Sequence, residues 1–259
     1  MDFRNRTALI TGASGGIGEE FARQLAGLGA NLILVARRAD KLAELRTTLL
    51  MSTPGIEIDV LAADLSLPGS GAQLAAQIGD LGRQVDILIN NAGVGSHGDF
   101  VDLDPEALAA QIHLNCGSLV DLTARFLPAM VKARKGLVIN VASTAAFQPT
   151  PTMAVYGATK AFVRSFTEAL WQETKGTGVR VLTLCPGATE TEFFARTGKQ
   201  FMTRGRQTAR QVVDTALAFV DKSGPTVISG LVNTVLAVST RLLPSRVLAP
   251  VSQLIMKES

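Results

Sequence analysis

The sequence predicts an α/β protein in which one doubly wound parallel sheet of about seven strands carries helices on both faces. Six or seven short apolar runs alternate with helical patterns over about 230 residues, an arrangement typical of this class. The first run leads directly into a glycine-rich turn and then into a helical pattern. No linker, charge run or repeat marks a boundary, so we expect one domain, residues 1–230, followed by an apolar extension, residues 231–259.

Each element is assigned from its pattern of apolar, turn-forming and capping residues. The predicted strands are Thr7 to Thr11, Asn31 to Ala36, Glu57 to Ala62, Val85 to Asn90, Leu137 to Val141, Val179 to Cys185 and Thr226 to Ser229. The predicted helices are Glu19 to Leu28, Asp40 to Met51, Gly71 to Gly79, Pro105 to Met130, Tyr156 to Lys175 and Thr208 to Asp221.

The bulk composition indicates a compact globular protein and excludes several other classes. Hydrophobic residues make up 47% of the chain, charged residues 18%, and the formal net charge is +3. No dense basic cluster interleaved with aromatic residues occurs, so we expect no nucleic-acid partner. The two cysteines, Cys116 and Cys185, lie far apart, which excludes a disulfide framework or zinc site. The N-terminal residues lack the pattern of a signal peptide, so we expect a cytoplasmic protein.

A glycine-rich turn between the first strand and the first helix is the first sign of a ligand. It reads Gly12-Ala13-Ser14-Gly15-Gly16-Ile17-Gly18. Glycines let the backbone approach a pyrophosphate, and the free amides at the positive end of the following helix hold the anion. The turn has no lysine followed by serine or threonine, which argues against a P-loop nucleotidase. The turn predicts a dinucleotide site, although tight turns without a ligand use glycine too.

The residues after the second strand decide which dinucleotide is expected. A site for NAD has an acidic residue at this position, which accepts a hydrogen bond from the ribose 2′-hydroxyl. This chain has Ala36-Arg37-Arg38, with two guanidiniums to hold a 2′-phosphate and no carboxylate to repel it. NADP(H) is therefore expected in preference to NAD(H). The alternative is that Arg37 and Arg38 are solvated charges that cap the next helix.

Polar and small residues follow four further strands, at the edge where open α/β sheets bind ligands. In strand order they are Asp64, then Asn91, Ala92 and Gly93, then Ser143, and finally Pro186, Gly187, Thr189 and Thr191. Asp64 could contact an adenine or only cap a turn. The residues after the fourth strand suit close packing against a cofactor or against the neighbouring strand. Those after the sixth could orient a carboxamide ring.

The stretch from Tyr156 to Lys160 carries the predicted chemistry. The two residues are four positions apart in a predicted helix, so their side chains project from one face. A nearby ammonium favours phenolate and lowers the pKa of a tyrosine from about 10 toward working pH. Such a tyrosine can exchange a proton with a substrate oxygen. The alternative is simple packing of a half-buried ring beside a lysine stem.

Taken together, these residues resemble the short-chain dehydrogenase/reductase family from about Arg6 to Gly230. Five separated motifs have the family's order and spacing: Thr11-Gly12-xxx-Gly16-Ile17-Gly18, Asn90-Asn91-Ala92-Gly93, Ser143, Tyr156-xxx-Lys160 and Pro186-Gly187. The resemblance implies a Rossmann-like fold and a catalytic tetrad of Asn115, Ser143, Tyr156 and Lys160. In that scheme, Ser143 binds the substrate oxygen and Tyr156 exchanges its proton. Lys160 lowers the tyrosine pKa and binds the nicotinamide ribose, and Asn115 holds a water.

The resemblance also implies which residues contact the cofactor. The glycine turn (Gly12, Ser14, Gly16, Ile17 and Gly18) would hold the pyrophosphate, and Asp64 the adenine. Asn91, Ala92 and Gly93 would line the cleft, with Pro186, Gly187, Thr189 and Thr191 at the carboxamide end. Some NADP-binding members carry a basic residue where this chain has Ser14. The preference for NADP(H) would therefore depend mainly on Arg37 and Arg38.

The apolar extension departs from the shortest family members. Leu231 to Met256 is rich in leucine and valine, but Arg241, Pro244 and Arg246 interrupt it before it reaches the length of a membrane-spanning helix. Two amphipathic pieces, Val232 to Leu243 and Ser245 to Met256, could cover the core, a subunit contact or a membrane surface. We expect a homo-oligomer, a dimer or tetramer, with membrane contact as the less favoured alternative.

The function expected from these features is interconversion of an alcohol with a ketone or aldehyde, dependent on NADP(H). The substrate is expected to be a small, mostly apolar molecule, on the evidence of six residues: Phe147, Pro149, Met153, Phe193, Phe194 and Phe201. The alternative is that these residues only provide the ordinary packing of a loop. One alternative is epimerisation or dehydration with the cofactor returned unchanged. A second is a non-catalytic protein that binds NADP and docks a partner or a membrane through the extension.

Overall fold

The computed structural model of the protein describes residues 1–193, 206–240, 244, 246–250 and 252. Seven parallel strands form one sheet in the order β3-β2-β1-β4-β5-β6-β7. The strands are β1 (Thr7–Thr11), β2 (Asn31–Ala36), β3 (Ile58–Ala62), β4 (Ile87–Asn90), β5 (Gly136–Val141), β6 (Val179–Cys185) and β7 (Thr226–Ile228). The predicted doubly wound sheet is confirmed, and every predicted strand is present with ends within two residues of those expected.

Eight α-helices whose bounds lie in the described residues connect and cover these strands, and residues 246–250 and 252 are helical as well. They are α1 (Gly16–Gly27), α2 (Ala39–Ser52), α3 (Ser70–Asp80), α4 (Pro105–Ile112), α5 (Ser118–Ala133), α6 (Ala154–Glu173), α7 (Ala209–Phe219) and α8 (Leu231–Ser239). The predicted helical region from Pro105 to Met130 is present, and it consists of two α-helices joined by a π-helical turn. A π-helical turn, His113–Gly117, separates α4 from α5, and it contains the buried Asn115. The wider turn accompanies hydrogen bonds from the Asn115 carboxamide to groups outside the helix.

The core consists of two apolar layers, one on each face of the sheet. Neighbouring residues of β1 point in opposite directions: Ile10 packs in the layer with α1, α2 and α7, and Leu9 packs in the layer with α3 and α5. Because both faces are covered, the strands need apolar side chains at successive positions and show no alternation with polar residues. This explains why the strands could be recognised as short continuous apolar runs.

The topology determines where a ligand can bind. β1 lies between β2 and β4, so the chain winds outward in both directions from this point. The loops after β1 and β4 therefore diverge to opposite faces and leave a crevice at the carboxyl ends of the strands. The loops after β2, β3, β5 and β6 reach the same edge, which brings the predicted site residues together.

The C-terminal extension both covers the protein and exposes an apolar stripe. Ala237, Leu248 and Ser252 are buried, so described parts of the extension lie against the domain. Leu231 and Val232 are 81% and 72% exposed, and Val235 and Leu236 continue the same stripe of α8. Among the described residues, no helix is both long enough and apolar enough to span a membrane.

Candidate active site

A cleft of about 570 Å³ runs along the carboxyl ends of the strands, across the point where the sheet order reverses. It brings together most of the residues predicted from the sequence. Those that line it are Gly12, Ser14, Gly16, Ile17, Arg37, Arg38, Asp64, Asn91, Ala92, Gly93, Ser143, Tyr156, Lys160, Pro186, Gly187, Thr189 and Thr191. Gly18 and Asn115 do not line the cleft and lie behind its walls.

The glycine turn leaves the start of α1 open to the cleft. Gly12 and Gly16 adopt left-handed backbone conformations, with φ of +67° and +58°. A Cβ atom at Gly16 would lie 2.8 Å from Cγ2 of Thr191, so a larger residue would push into the opposite wall. No side chain caps the first amides of α1. These amides, with the positive end of the helix dipole, form an anion site at the base of the cleft.

Gly18 has a packing role that the sequence motif does not reveal. A Cβ atom there would collide with the carbonyl oxygen of Gly12 and with Nδ2 of Asn91. Nδ2 of Asn91 in turn donates to the carbonyl of Thr11 at 3.0 Å. Gly18 therefore lets α1 approach the β1 and β4 loops, and its predicted part in cofactor binding stays a prediction.

At the end of the cleft beside β2, Arg38 is held from two sides. Its Nε and Nη2 donate to Oγ of Ser14 at 3.3 and 3.2 Å, and Nη2 also donates to the Ser14 carbonyl at 2.9 Å. Nη2 forms an ion pair of 3.0 Å with Oε2 of Glu192. Ser14 therefore orients the arginine that follows β2.

Arg37 and Asp64 lie at the same end of the cleft. Nη1 of Arg37 is 4.0 Å from Oδ2 of Asp64, and the arginine side chain is 57% exposed. The pKa of Asp64 is lowered, mainly because Oγ of Ser66 donates to its carboxylate at 2.6 Å, with the charge of Arg37 adding to the effect. Asp64 is thus an ionised group that caps its own turn while facing the cleft.

Tyr156, Ser143 and Lys160 meet at the other end. Burial raises the pKa of Tyr156 to about 12, although the neighbouring Ser143 side chain acts to lower it. Lys160 is 5% exposed and its Nζ donates to the carbonyl of Val141 at 2.8 Å. Burial lowers the pKa of Lys160 to about 8.

The electrostatics differ from the sequence-based expectation that Lys160 lowers the tyrosine pKa. Nζ lies 5.7 Å from the centroid of the Tyr156 ring and points to a main-chain carbonyl. Desolvation of the phenolate therefore raises the pKa of Tyr156 by more than the Ser143 side chain lowers it. Tyr156 is fully protonated at neutral pH, in the form that can donate a proton.

Asn115 supports the cleft from behind. Its Nδ2 donates to the Val94 carbonyl and to Oγ1 of Thr159, and its Oδ1 accepts from the Val94 amide at 3.0 Å. Oγ1 of Thr159 donates to the carbonyl of Tyr156 at 2.8 Å. A Cβ atom at Gly93 would lie 3.2 Å from Oδ1 of Asn115 and 3.4 Å from Nζ of Lys160. Asn115 thus connects the loop after β4 to the first turn of α6.

The turn after β6 is fixed by its neighbours on both sides. The Thr144 amide donates to the Pro186 carbonyl at 2.9 Å, which joins this turn to the loop that carries Ser143. Oγ1 of Thr189 donates to the Gly187 carbonyl at 3.0 Å. Asn233 of α8 packs against Gly187, where a Cβ atom would collide with its carboxamide. The extension therefore supports the wall of the cleft from outside.

The predicted apolar residues separate into two groups. Met153 and Phe193 line the cleft and pack with Tyr156, whose ring centroid lies 5.2 Å from that of Phe193. Phe147 belongs to another apolar cluster and stacks under Arg164, and Pro149 is exposed. Phe194 and Phe201 lie outside the described residues. Within the described part of the chain, no group of His, Cys, Asp and Glu side chains could hold a metal ion.

The geometry has the features of a nicotinamide-dependent active site, and the family comparison decides the assignment. The sequence profile of the family described as short chain dehydrogenase matches residues 6–201. The chain belongs to the short-chain dehydrogenases. It is therefore an NAD(P)-dependent oxidoreductase.

Individual relatives of this short-chain dehydrogenase agree with that assignment. An uncharacterized oxidoreductase of Staphylococcus epidermidis is 33% identical over 211 residues, which span 82% of this chain and 89% of the relative. A short-chain dehydrogenase from Sphingobium yanoikuyae, solved in complex with NADPH, is 34% identical, with a TM-score of 0.83 over 98% of this chain and 96% of its own. A short-chain dehydrogenase/reductase from Burkholderia phymatum, solved with NAD, is 25% identical, with a TM-score of 0.81 over 93% and 94% of the two chains.

The cleft of this short-chain dehydrogenase fits a nicotinamide dinucleotide. Its base is a glycine turn at an uncapped helix start, where side chains at Gly12 or Gly16 would fill the space. Basic groups lie at one end and a protonated tyrosine with a buried lysine at the other. These three regions suit the three parts of a nicotinamide dinucleotide. The glycine turn suits the pyrophosphate, the basic groups suit a phosphorylated adenosine, and the space beside Tyr156 suits the nicotinamide ring.

Among the cleft-lining residues that the sequence analysis did not name, Glu192 and Ser252 are the most informative. Glu192 directly follows Thr191, and its opposite charge to Arg38 was a usable signal only once the two loops were known to meet. Ser252 lies in the apolar extension, is 2% exposed and reaches the cleft from far along the chain. No local sequence pattern distinguishes Ser252, because its position results from how the extension packs on the domain.

Proposed function

We propose that this short-chain dehydrogenase interconverts an alcohol with a ketone or aldehyde, uses NADP(H), and takes Tyr156 as the proton donor or acceptor. One observation carries the proposal. Tyr156, Ser143 and the buried Lys160 line the same cleft as the open glycine turn, and the Ser143 side chain acts to lower the pKa of Tyr156. The cofactor, when bound, supplies or accepts a hydride at its nicotinamide ring.

Ser143 and Tyr156 would bind the substrate oxygen together. Oγ of Ser143 accepts a hydrogen bond from the Ala145 amide at 3.1 Å, which leaves its own hydrogen to donate toward the cleft. Because the pKa of Tyr156 is raised to about 12, its hydroxyl keeps its proton until charge develops on the substrate oxygen. In reduction the tyrosine gives up this proton, and in oxidation it takes the proton back.

Lys160 would bind the ribose hydroxyls at the nicotinamide end. It would stabilise the phenolate of Tyr156 only in the cofactor-bound protein, because without the cofactor burial dominates the pKa of Tyr156. Since burial lowers the pKa of Lys160 to about 8, a modest rise in pH converts the ammonium to the amine. The interactions of Asn115 with Val94 and Thr159 would keep the loop after β4 and the start of α6 at a fixed separation. These contacts preorganise the site before a substrate arrives.

The preference for NADP(H) rests on the residues after β2. Arg37 and Arg38 both line the cleft, and Ala36 occupies the position of the acidic residue in an NAD site. The NADPH complex of the Sphingobium yanoikuyae relative supports this preference. The NAD complex of the Burkholderia phymatum relative shows that both cofactors occur on this fold, so direct comparison of the two is the deciding measurement.

An apolar carbonyl compound is the substrate class that the cleft favours. Met153 and Phe193 form an apolar wall beside Tyr156. The test is a screen of NADPH oxidation over ketones and aldehydes that differ in apolar bulk, with NADH as the control cofactor. We expect turnover of bulky apolar carbonyls and a lower KM for NADPH than for NADH. Conversion of a substrate without net oxidation of the cofactor would contradict oxidoreduction and favour epimerisation or dehydration.

The homo-oligomeric state and the cytoplasmic location of the protein stay predictions. The exposed stripe of α8, at Leu231, Val232 and Val235, is the surface on which a second copy or a membrane could act. Sizing and liposome flotation of the Val235→Glu protein, against the unaltered protein, separate these roles. Oligomer size and membrane partition that both stay unchanged would exclude this stripe from either role.

A further inference from the structure

An ion pair crosses the cleft between two loops that lie far apart in the sequence. Arg38 follows β2 and Glu192 follows β6, 154 positions later. Nη2 of Arg38 lies 3.0 Å from Oε2 of Glu192, and Nη1 donates to Oε1 at 3.3 Å. Both side chains also line the cleft. The pair therefore joins the loop after β2, at the end of the cleft proposed to bind the 2′-phosphate, to the loop after β6.

The ion pair lies directly beside the glycine turn. A Cβ atom at Gly15 would lie 3.3 Å from Nη2 of Arg38. A Cβ atom at Gly16 would lie 2.8 Å from Cγ2 of Thr191, the residue before Glu192. Arg38 thus packs against the turn that would hold the pyrophosphate, and Glu192 directly follows a residue that does so. A dinucleotide in the cleft would therefore come close to the ion pair.

The hydrogen-bonding capacity of Arg38 is largely used in this arrangement. Nε and Nη2 bind Oγ and the carbonyl of Ser14, while Nη1 and Nη2 bind Glu192. A phosphate binds an arginine best through two parallel N–H groups. A 2′-phosphate that binds Arg38 with this geometry must replace the Glu192 carboxylate. If the carboxylate stays in place, the phosphate lies beside a second negative charge. Nη1 of Arg37 lies 4.0 Å from Asp64 and the Arg37 side chain is 57% exposed, so it is less constrained.

We infer that Glu192 is a specificity-determining residue whose carboxylate competes with the 2′-phosphate of the cofactor for Arg38. It reduces the preference for NADP(H) that Arg37 and Arg38 provide. The inference rests on the proposed NADP(H) preference, because it concerns the same phosphate. The sequence feature behind it is an acidic residue after Thr191 that faces a basic residue after β2.

The test is equilibrium calorimetry on the full chain with two cofactor fragments. Adenosine 2′,5′-bisphosphate carries the 2′-phosphate and adenosine 5′-monophosphate lacks it. In the Glu192→Gln protein we expect the ratio of the two affinities to shift about two- to fivefold toward the bisphosphate, the range for one exposed ion pair. Glu190→Gln is the matched control. It removes the same charge two positions away, at an exposed residue outside the cleft, and should leave the ratio unchanged.

A double-mutant cycle tests whether Glu192 acts through Arg38. In an Arg38→Gln background, adding Glu192→Gln should no longer change the affinity ratio, because the group for which the carboxylate competes is gone. An equal change of the ratio in both backgrounds overturns the inference. An equal gain in affinity for both fragments also overturns it, since the carboxylate would then only repel phosphates in general.

The outcomes separate this inference from the proposed function. If the unaltered protein prefers the bisphosphate and Glu192→Gln leaves the ratio unchanged, the competition between Glu192 and the 2′-phosphate is refuted while the NADP(H) preference stands. If the unaltered protein binds both fragments equally, the preference fails and the inference fails with it.

Discussion

The two ends of the cleft place cations in opposite surroundings. At the phosphate end, the side chains of Arg37 and Arg38 are 57% and 35% exposed and are held by carboxylates. At the catalytic end, Lys160 is 5% exposed and its Nζ donates to a main-chain carbonyl. Guanidiniums at a surface keep their charge and are screened by salt, whereas a buried ammonium changes its protonation state readily. In the proposed function, recognition of the cofactor and proton transfer would thus use different physical properties of a positive charge.

The Tyr156→Phe substitution breaks the catalytic end and leaves the phosphate end intact. We expect kcat to fall by about 10²- to 10⁴-fold, the usual contribution of a general acid or base. Cofactor affinity should hardly change, because the ring and its packing against Phe193 are kept. Steady-state kinetics and titration of NADPH fluorescence measure the two quantities. Full turnover in this variant would refute the proton transfer assigned to Tyr156.

Lys160→Met removes the buried ammonium while it keeps an unbranched side chain. We expect kcat to fall and the Kd for both NADPH and NADH to rise together, since Lys160 is assigned to both the phenolate and the ribose. A loss of kcat with unchanged Kd would limit Lys160 to the chemistry. The comparison with Tyr156→Phe, which should affect kcat alone, separates the two roles.

Lys160→Met also tests how much the burial of Lys160 lowers the free energy of unfolding. Its pKa is lowered from 10.5 to about 8, so between these values the unfolded chain binds more protons and stability rises with pH. The cost is greatest below pH 8 and disappears above the unfolded pKa. The gain in unfolding free energy from Lys160→Met should therefore be larger at pH 7 than at pH 9.5, by on the order of 2 kcal/mol. Urea unfolding at the two pH values measures it, and an equal gain at both would contradict the lowered pKa.

Gly18→Ala tests the packing behind the cleft. The added methyl group would collide with the Gly12 carbonyl and the Asn91 carboxamide, so we expect a loss of about 1–3 kcal/mol in unfolding free energy. Gly27→Ala lies in the same helix with no atom within 4 Å of the added Cβ, and should be neutral or stabilising by up to about 1 kcal/mol. Denaturant unfolding of the pair measures the difference. Equal stability of the two variants would show that α1 can move away from β1.

A change of ionic strength should produce the smallest effect of these tests. It should alter cofactor affinity at the end of the cleft that contains Arg37 and Arg38, and leave the Tyr156 end almost unaffected. Raising the salt concentration weakens interactions at exposed charges, so we expect the Kd for NADPH to rise a few-fold more than that for NADH. The kcat at saturating cofactor should change little, because Lys160 is buried and Tyr156 is half-buried, so salt screens them less than the exposed arginines. Fluorescence titrations in low and high salt test this expectation. Equal sensitivity of the two cofactors would remove the exposed arginines from 2′-phosphate recognition.

Much of the fold and site follows from the sequence because its signals are local. Continuous apolar runs marked the seven strands, and the glycine turn after β1 needs no distant partner to be recognised. Tyr156 and Lys160 share a helix face through their four-residue spacing alone. The order of motifs along the chain was sufficient to indicate the family and, through it, the sheet edge at which Ser143 and Pro186 meet.

Only the tertiary structure decided the properties that depend on residues distant in the chain. Burial raises the pKa of Tyr156 and lowers that of Lys160, and burial is a property of the packed protein. Gly18 supports packing because of where Gly12 and Asn91 lie around it. The Arg38–Glu192 pair and the position of Ser252 in the cleft require loops that the sheet brings together. The sequence by itself thus determined the strands, the turn and the candidate reactive side chains. The electrostatic environment of those side chains came from the fold, because charges act through space on residues that are distant in the chain.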